Sequence, residues 1–149
     1  MPNRDVVILM ADDDEEDRMM TREALAGHML ANEFNTVSNG EELMDYLYHR
    51  GEFSDPETSP RPGLILLDLK MPRKDGWEVL REIREDDLLR QIPIVVLTSS
   101  KAEEDVYRSY DLGVNSFITK PVTFEGLVEV MKALKRYWLE IVELPTGQG

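Results

Sequence analysis

Five short apolar segments recur along the chain, separated by longer segments with helical spacing. Three of them, 6–11, 63–69 and 92–99, are nearly continuous apolar runs rather than alternations of apolar and polar residues. Runs of this kind are typical of strands that are buried on both faces of a sheet. With the shorter segments 34–38 and 115–120, the pattern predicts five strands.

The segments between the strands carry apolar residues at the three- and four-residue spacing of amphipathic helices. Predicted helices span residues 15–30, 40–50, 76–86, 101–112 and 123–138. Helix starts are marked as well, since Asn39 with Glu42 and Ser100 with Glu103 resemble capping boxes, and Thr123 can cap the last helix.

Strand and helix alternate five times, which predicts parallel strands joined by right-handed crossovers, with helices on both faces of the sheet. The fold class is therefore α/β, a doubly wound parallel five-stranded sheet. Residues 50–63, rich in proline, serine and glycine, interrupt the alternation and are predicted to form a long surface loop. A chain of 149 residues fits one domain with a core of its own.

Composition excludes several classes of function. The net charge of -13 disfavours binding to nucleic acid or to anionic membranes, and suits a protein that attracts cations or a basic partner. The lack of cysteine excludes disulfides, thiolate zinc sites and cysteine nucleophiles. No apolar run approaches the ~20 residues of a membrane span, and the first residues do not resemble a secretory signal. We therefore expect a soluble cytoplasmic protein.

Polar side chains follow the predicted strands. In an open parallel sheet, binding sites form beyond the carboxyl ends of the strands. Asp12 and Asp13 stand there after the first strand, Asp68 after the third, Thr98 after the fourth and Lys120 after the fifth. Carboxylates, a hydroxyl and an ammonium are therefore expected to converge on one edge of the sheet.

The acidic run 12–17 has two parts in this interpretation. Asp14 to Asp17 fall in the first turn of a helix, where the macrodipole favours negative charge. Asp12 and Asp13 directly end a buried strand, and with Asp68 they offer oxygen ligands of the kind that suit Mg²⁺. A solvated acidic face is the alternative. A calcium-binding EF-hand loop is set aside, because its sixth position needs glycine and here is Asp17.

Each remaining polar residue allows two interpretations. Asp68 is either a structural cap or a nucleophile that forms an acyl phosphate. Lys120 is either a surface lysine or the ion-pair partner of the carboxylates. Thr98 is either an ordinary β-branched strand residue or a hydroxyl donor to a phosphoryl oxygen.

Taken together, these residues resemble the receiver domain of two-component response regulators. The stretch LLDLKMPRKDGWEVL, 66–80, keeps Asp68, Met71-Pro72 and Asp75-Gly76 in the family's register, and Lys120-Pro121 fits as well. The likeness covers roughly residues 5–137. It implies a flavodoxin-like (βα)5 fold with strand order 2-1-3-4-5. The domain organisation it implies is a receiver domain over 1–137, an extension over 138–149 and no output domain.

The resemblance also implies a phosphorelay chemistry. Asp68 would accept a phosphoryl group from a histidine kinase, with Mg²⁺ held by Asp13 and Asp68 directly, by Asp12 mainly through water and by the backbone carbonyl of Lys70. Such a protein catalyses only its own phosphorylation and dephosphorylation, so it is a signalling protein rather than an enzyme acting on a separate metabolite.

The resemblance assigns a switch to the same edge. Lys120 would pair with the acyl phosphate and Thr98 would bond one of its oxygens, which lets the switch aromatic Phe117 move inward. The Lys120-Pro121 bond would be cis. The signal would appear on the surface of the predicted helix 101–112, the fifth strand and the last helix. Lys70 and Ser100, which flank the path of the hydrolytic water, depart from common family residues, so the phosphoryl lifetime is open. Lys70 is also a candidate competitor of Mg²⁺ for the acids.

The long loop before the third strand and the ending YWLEIVELP, 137–145, resemble the small receivers that partner bacterial phytochrome kinases. This likeness implies a light-sensing histidine kinase as partner, and a homodimer through the last helix and the C-terminal extension. Apolar residues of the extension support dimerisation, because they form a surface too apolar to leave in water: Trp138, Leu139, Ile141, Val142 and Leu144. The alternative is that the extension folds back on its own domain.

Two rival functions share part of this residue pattern. An aspartate-based phosphatase of the haloacid dehalogenase type needs a second aspartate two residues after the nucleophile, and that position is Lys70. A pseudo-receiver, a binding module that is never phosphorylated, is disfavoured because all the key residues are present.

Overall fold

The computed structural model describes residues 7–27, 33–98, 111, 113–114, 116–120 and 123–136. They contain five strands, namely β1 (Val7–Ala11), β2 (Glu33–Val37), β3 (Leu64–Leu67), β4 (Ile94–Thr98) and β5 (Ser116–Thr119). Four α-helices accompany them, namely α1 (Glu15–Gly27), α2 (Gly40–Leu47), α3 (Gly76–Glu85) and α4 (Phe124–Arg136). All strand pairs are parallel and the strand order is β2-β1-β3-β4-β5, which confirms the predicted fold class.

The central strands bury both of their faces, which explains their nearly continuous apolar sequence. Ile65 and Leu67 of β3 belong to the core that also contains residues of α2 and α3. The alternate residues Leu64 and Leu66 belong to a second core with residues of α1 and α4. Because successive strand side chains point to opposite faces, a strand between two helical layers must be apolar at every position.

The structure shortens most of the predicted elements. β3 ends at Leu67 and β4 begins at Ile94, where the predicted strands extended to 69 and began at 92. α2 ends at Leu47 rather than at residue 50, because His49 takes a left-handed φ of 56° that a helix does not accommodate. The predicted helix 101–112 lies outside the described residues except for Asp111. No helix in the described part of the chain is long and apolar enough to span a membrane.

The predicted loop 50–63 is tied to the body of the domain. It includes a short 3₁₀-helix, Gly51–Phe53. The buried Tyr46 hydroxyl donates to the carbonyl of Pro60 at 2.8 Å and accepts from Asn35 Nδ2 at 3.0 Å. Phe53 packs on the Tyr46 ring with centroids 5.5 Å apart. The loop is therefore anchored at both a polar and an apolar contact.

Helix caps follow the predictions in part. Asn39 Oδ1 accepts from the N–H of Glu42, but the Glu42 carboxylate accepts from the backbone N–H and hydroxyl of Ser38 rather than closing a box with Asn39. Thr123 Oγ1 accepts from the N–H of Gly126, as predicted. A complete capping box, which the sequence analysis did not identify, starts α3 at Asp75. The predicted box at 100–103 lies outside the described residues.

Candidate functional site

The parallel register of three neighbouring strands brings the first polar residues to one level. The backbone N–H of Asp12 donates to Val37 at the end of β2, and that of Asp68 donates to Ala11 at the end of β1, at 3.1 and 3.0 Å. Asp12 and Asp68 therefore leave adjacent strands at the same height. The structure thus brings these polar residues together at the carboxyl edge of the sheet, as predicted.

Asp12, Asp13 and Asp68 form an acidic cluster in which one carboxylate oxygen of each lies within 4.8 Å of the others. Asp12 and Asp68 are buried, and Asp13 is exposed. Asp12 Oδ1 accepts from the N–H of Asp14, while the buried Oδ2 has no hydrogen-bond donor among the residues that the structure describes. A buried oxygen without a donor and two nearby carboxylates make a donor set that fits a hard divalent cation.

The Asp68 carboxylate is held in one orientation by three donors. Its Oδ1 accepts from Thr98 Oγ1 at 2.8 Å and from the N–H of Lys70 at 3.1 Å. Its Oδ2 accepts from Lys120 Nζ at 3.2 Å. Thr98 is fully buried and comes from β4, next to β3 in the sheet. Residues from the ends of three strands thus meet at one carboxylate.

Lys120 is the cation of the site. Its Nζ lies 2.8 Å from Asp12 Oδ2, 2.7 Å from Asp17 Oδ2 and 3.2 Å from Asp68 Oδ2. The 2.8 Å contact is an ion pair without hydrogen-bond geometry, so the Asp12 oxygen still lacks a donor. Burial lowers the pKa of Lys120, but the hydrogen bond that its ammonium donates to Asp17 and the negative charges of Asp12 and Asp68 outweigh the effect of burial, so the pKa is raised. The ammonium is therefore permanently charged.

Burial also perturbs the acid at the centre of the cluster. Desolvation raises the pKa of Asp12 to about 6, against the lowering effects of Lys120 and the Asp14 N–H, and the nearby Asp68 charge raises it further. Because burial makes the ionised form of Asp12 unfavourable, a cation bound beside its unsatisfied oxygen would stabilise the carboxylate.

Asp17 lies in the first turn of α1, as predicted, but its contact with Lys120 was not predicted. The helix start is capped by Asp14, which accepts from the N–H of Glu16 at 2.9 Å, whereas the Asp17 carboxylate accepts from Lys120. Asp17 lies on the buried stripe of α1 that continues through Thr21, Ala24 and Leu25. The four-residue spacing from Asp17 to Thr21 was the available signal, because it extends that stripe by one turn toward the site.

Two further predicted residues occupy distinct places. Phe117 on β5 is half-buried and packs against the core beneath α2 and α3. The Lys70 side chain is exposed, and among the described residues it forms none of the ion pairs of the acidic cluster; it contributes its backbone N–H to Asp68. The predicted pairing of Lys70 with one of these acids is therefore not present among the described residues. Ser100, Pro121 and the extension 138–149 lie outside the described residues.

Comparison with known proteins places these residues in a family. Residues 8–132 match the response regulator receiver domain. The response regulator Rcp1 of Synechocystis sp. is 41% identical over 141 residues, covering 95% of this chain and 94% of that protein. The probable methanogenesis regulatory protein FilR2 of Methanothrix harundinacea is 36% identical over 134 residues, covering 89% of this chain and 83% of that protein.

Solved structures agree. The phosphorylated cyanobacterial phytochrome response regulator RcpA superposes with a TM-score of 0.87 at 41% identity, covering 96% of this chain and all of that one. The Mn²⁺-bound form of Rcp1 gives a TM-score of 0.83 at 41% identity, covering 95% and 99%. The aspartate-based phosphatase is thereby disfavoured. The match over most of the chain and the shared fold show that this protein belongs to the response regulator receiver domain family.

Proposed function

We propose that the protein is the receiver of a two-component phosphorelay and accepts a phosphoryl group from a histidine kinase on Asp68. The observation that carries the proposal is the setting of Asp68, a buried carboxylate with donors on both oxygens, 3.2 Å from a lysine ammonium and beside two further carboxylates. A nucleophile and its charge-neutralising partners are thus already assembled.

In the transfer, an Asp68 carboxylate oxygen attacks phosphorus while the bond from phosphorus to the donor's imidazole nitrogen breaks. The imidazole recovers the bonding electron pair and Asp68 becomes an acyl phosphate. Asp12, Asp13, Asp68 and the backbone carbonyl of Lys70 would hold Mg²⁺. When bound, this ion neutralises charge on the transferring group. The Mn²⁺-bound structure of the relative Rcp1 supports a divalent cation in this family.

Lys120 and Thr98 act on the product. Lys120 is positioned to pair with phosphoryl oxygens because its backbone N–H is fixed on the Thr98 carbonyl at 2.9 Å while its side chain reaches Asp68. Thr98 Oγ1 exchanges its bond to Asp68 for one to a phosphoryl oxygen. This movement frees space toward which Phe117, paired in register with Val96 of β4, turns inward. The output surface comprises residues 101–112, β5 and α4.

The partners follow from the likeness to phytochrome response regulators. RcpA is named as a cyanobacterial phytochrome response regulator, and RPA3017, 33% identical with a TM-score of 0.87, as acting in red light signalling. These relatives support a light-sensing histidine kinase as the donor. Because such a kinase takes its phosphoryl group from ATP, we infer that the relay operates in the cytoplasm. Within the chain, 1–137 forms the receiver domain and 138–149 a tail that joins two copies as a homodimer, without contact to nucleic acid or membrane.

The test is intact-mass spectrometry after incubation with acetyl phosphate, with and without Mg²⁺. A gain of about 80 Da, the mass of one phosphoryl group, is expected only with Mg²⁺ and only when Asp68 is present. Asp68→Asn should show no gain, whereas Asp87→Asn, a change at an exposed aspartate beyond the far end of α3, should match wild type. Absence of the adduct in wild type, together with failure to bind beryllofluoride, would establish a pseudo-receiver instead.

A further inference from the structure

Asp17 is the one carboxylate at the site that the proposed phosphoryl transfer does not use. We propose that Asp17 is a positioning residue for Lys120: it holds the ammonium partly away from Asp68 before phosphorylation, which strengthens cation binding and weakens binding of the phosphoryl group. The inference rests on the proposed function and gives a residue of α1 an influence on the phosphoryl site.

The distances show how the ammonium is shared. Lys120 Nζ is 2.7 Å from Asp17 Oδ2 and 3.2 Å from Asp68 Oδ2, and it donates hydrogen bonds to both. An ammonium has three protons, and one of them is committed to Asp17. The shorter contact is therefore to the residue that takes no part in the transfer, and the longer one is to the phosphoacceptor.

The charges at the site predict how the shared ammonium affects the binding of each ligand. One ammonium faces Asp12, Asp17 and Asp68, and exposed Asp13 adds a further carboxylate to the cluster. Removing the Asp17 charge leaves Lys120 to neutralise Asp12 and Asp68 more fully, so the cluster attracts a divalent cation less. The same change frees the ammonium for an incoming phosphoryl group, which carries negative charge, so that group is bound more tightly.

The surroundings allow the Lys120 ammonium to change partners while Asp17 stays in place. The Thr21 hydroxyl donates to the Asp17 carbonyl at 2.8 Å, within α1. A cavity of about 20 Å³, roughly the room of one water, lies against both charged groups between α1 and α4. Its other lining residues are Met10, Met20, Thr21, Leu97 and Leu127. The lysine side chain therefore borders free space, and because its Nζ already contacts both Asp17 and Asp68, a small movement is enough to change the balance between the two carboxylates.

Glu16 offers a matched control, because it lies in the same first turn of α1 and carries the same charge. It is exposed, and its carboxylate is not among those that contact Lys120. If Asp17 served only the helix macrodipole, neutralising either residue would change the protein in the same way.

The experiment compares wild type, Asp17→Asn and Glu16→Gln. Calorimetric titration gives the Mg²⁺ dissociation constant of the free protein, and a second titration gives the beryllofluoride dissociation constant at saturating Mg²⁺. For Asp17→Asn we expect Mg²⁺ binding to weaken about fivefold and beryllofluoride binding to tighten about fivefold, the scale of one partly exposed ion pair. For Glu16→Gln both constants should stay within about twofold of wild type.

The inference is supported if the Mg²⁺ dissociation constant rises and the beryllofluoride dissociation constant falls in Asp17→Asn but not in Glu16→Gln. A loss of helix stability would not make the protein bind either ligand more tightly. Equal behaviour of the two variants, in a wild type that binds beryllofluoride with Mg²⁺, overturns the inference and leaves the proposed function standing. A wild type that does not bind beryllofluoride overturns both.

A second measurement covers the case in which Asp17→Asn does not fold. The ¹³C signal of the Asp17 carboxyl in wild type should shift when beryllofluoride is added, because Lys120 leaves it. A signal that stays in place through saturation contradicts the exchange of partners.

Discussion

Thr98 Oγ1 and Asp68 Oδ1 are joined by a buried hydrogen bond of 2.8 Å that connects the ends of two adjacent strands. The acceptor is a carboxylate, so the bond is charge-assisted and stronger than one between neutral groups. The bond therefore stabilises the unphosphorylated protein, and it is the bond that Thr98 gives up in the proposed switch.

Replacing Thr98 by valine should lower the free energy of unfolding by about 2 kcal/mol, because Asp68 loses a donor in a buried setting. Urea denaturation measures the change. Thr119→Val is the control, because Thr119 lies opposite Thr98 on β5 but is exposed, and it should change stability by less than about 0.5 kcal/mol. Equal losses in the two variants would show that the hydrogen bond contributes nothing.

The pKa of Asp12, raised to about 6 by burial, predicts two pH dependences of opposite sign. Without metal, the folded protein binds the Asp12 proton more tightly than the unfolded chain, whose ordinary pKa is 3.8, so this contribution to stability is lost as pH rises through about 6. Mg²⁺ needs the carboxylate, so its apparent affinity should rise over the same interval.

Calorimetric Mg²⁺ titrations and urea denaturation in EDTA, both from pH 5 to 8, measure these slopes. Asp12→Asn should remove the pH dependence of metal-free stability near pH 6, whereas Asp13→Asn, a change at the exposed neighbour, should retain it. A wild-type stability that is flat across pH 6 in EDTA would mean that Asp12 is not protonated in the folded protein.

Replacing Lys120 by methionine should leave buried carboxylates facing one another without a cation. In EDTA we expect a loss of about 3 kcal/mol in the free energy of unfolding, on the scale measured when one partner of a buried ion pair is removed. Mg²⁺ should restore part of it, since the ion replaces the missing charge. Lys132→Met, on the exposed face of α4, is the control and should respond to Mg²⁺ as wild type does. Insensitivity of Lys120→Met to Mg²⁺ would contradict the electrostatic account.

Two glycines in helices should respond to alanine in opposite directions. A Cβ at Gly40, the first residue of α2, would clash with the carbonyl oxygen of Lys74. Gly40→Ala therefore forces the loop after β3 outward and should cost about 2 kcal/mol or more, the scale of overpacking. A Cβ at Gly27 meets no atom of the described residues within 4 Å, so Gly27→Ala should be neutral or stabilise by up to about 1 kcal/mol. Thermal unfolding separates the two, and a stable Gly40→Ala would mean that the loop yields freely.

The sequence was enough to predict those site residues that have a suitable side chain and also stand at the end of a strand. Asp12, Asp68 and Thr98 each end an apolar run, and parallel strands carry their carboxyl ends to a common edge. Their convergence therefore needed only the order of elements along the chain. Residue roles in metal binding and phosphoryl transfer stay predictions, because they depend on ligands rather than on the fold.

Asp17 shows where this reasoning stops. Along the chain it is one acid in a run of six, and helix-start chemistry accounts equally well for Asp14, Glu15 and Glu16 beside it. Its pairing with Lys120 joins positions 103 residues apart and depends on how α1 packs across β1 toward β5 and α4. The burial that raises the pKa of Asp12 likewise appears only when the layers close over it.

The sequence by itself determined the alternation of strands and helices, the doubly wound sheet and the edge at which the polar residues gather, because these follow from local periodicity and from parallel topology. The tertiary structure decided which carboxylates share the single ammonium, which oxygen lacks a donor and which loop is anchored. Those outcomes depend on distances of a few ångströms between segments far apart in the chain, and side-chain periodicity does not specify such distances.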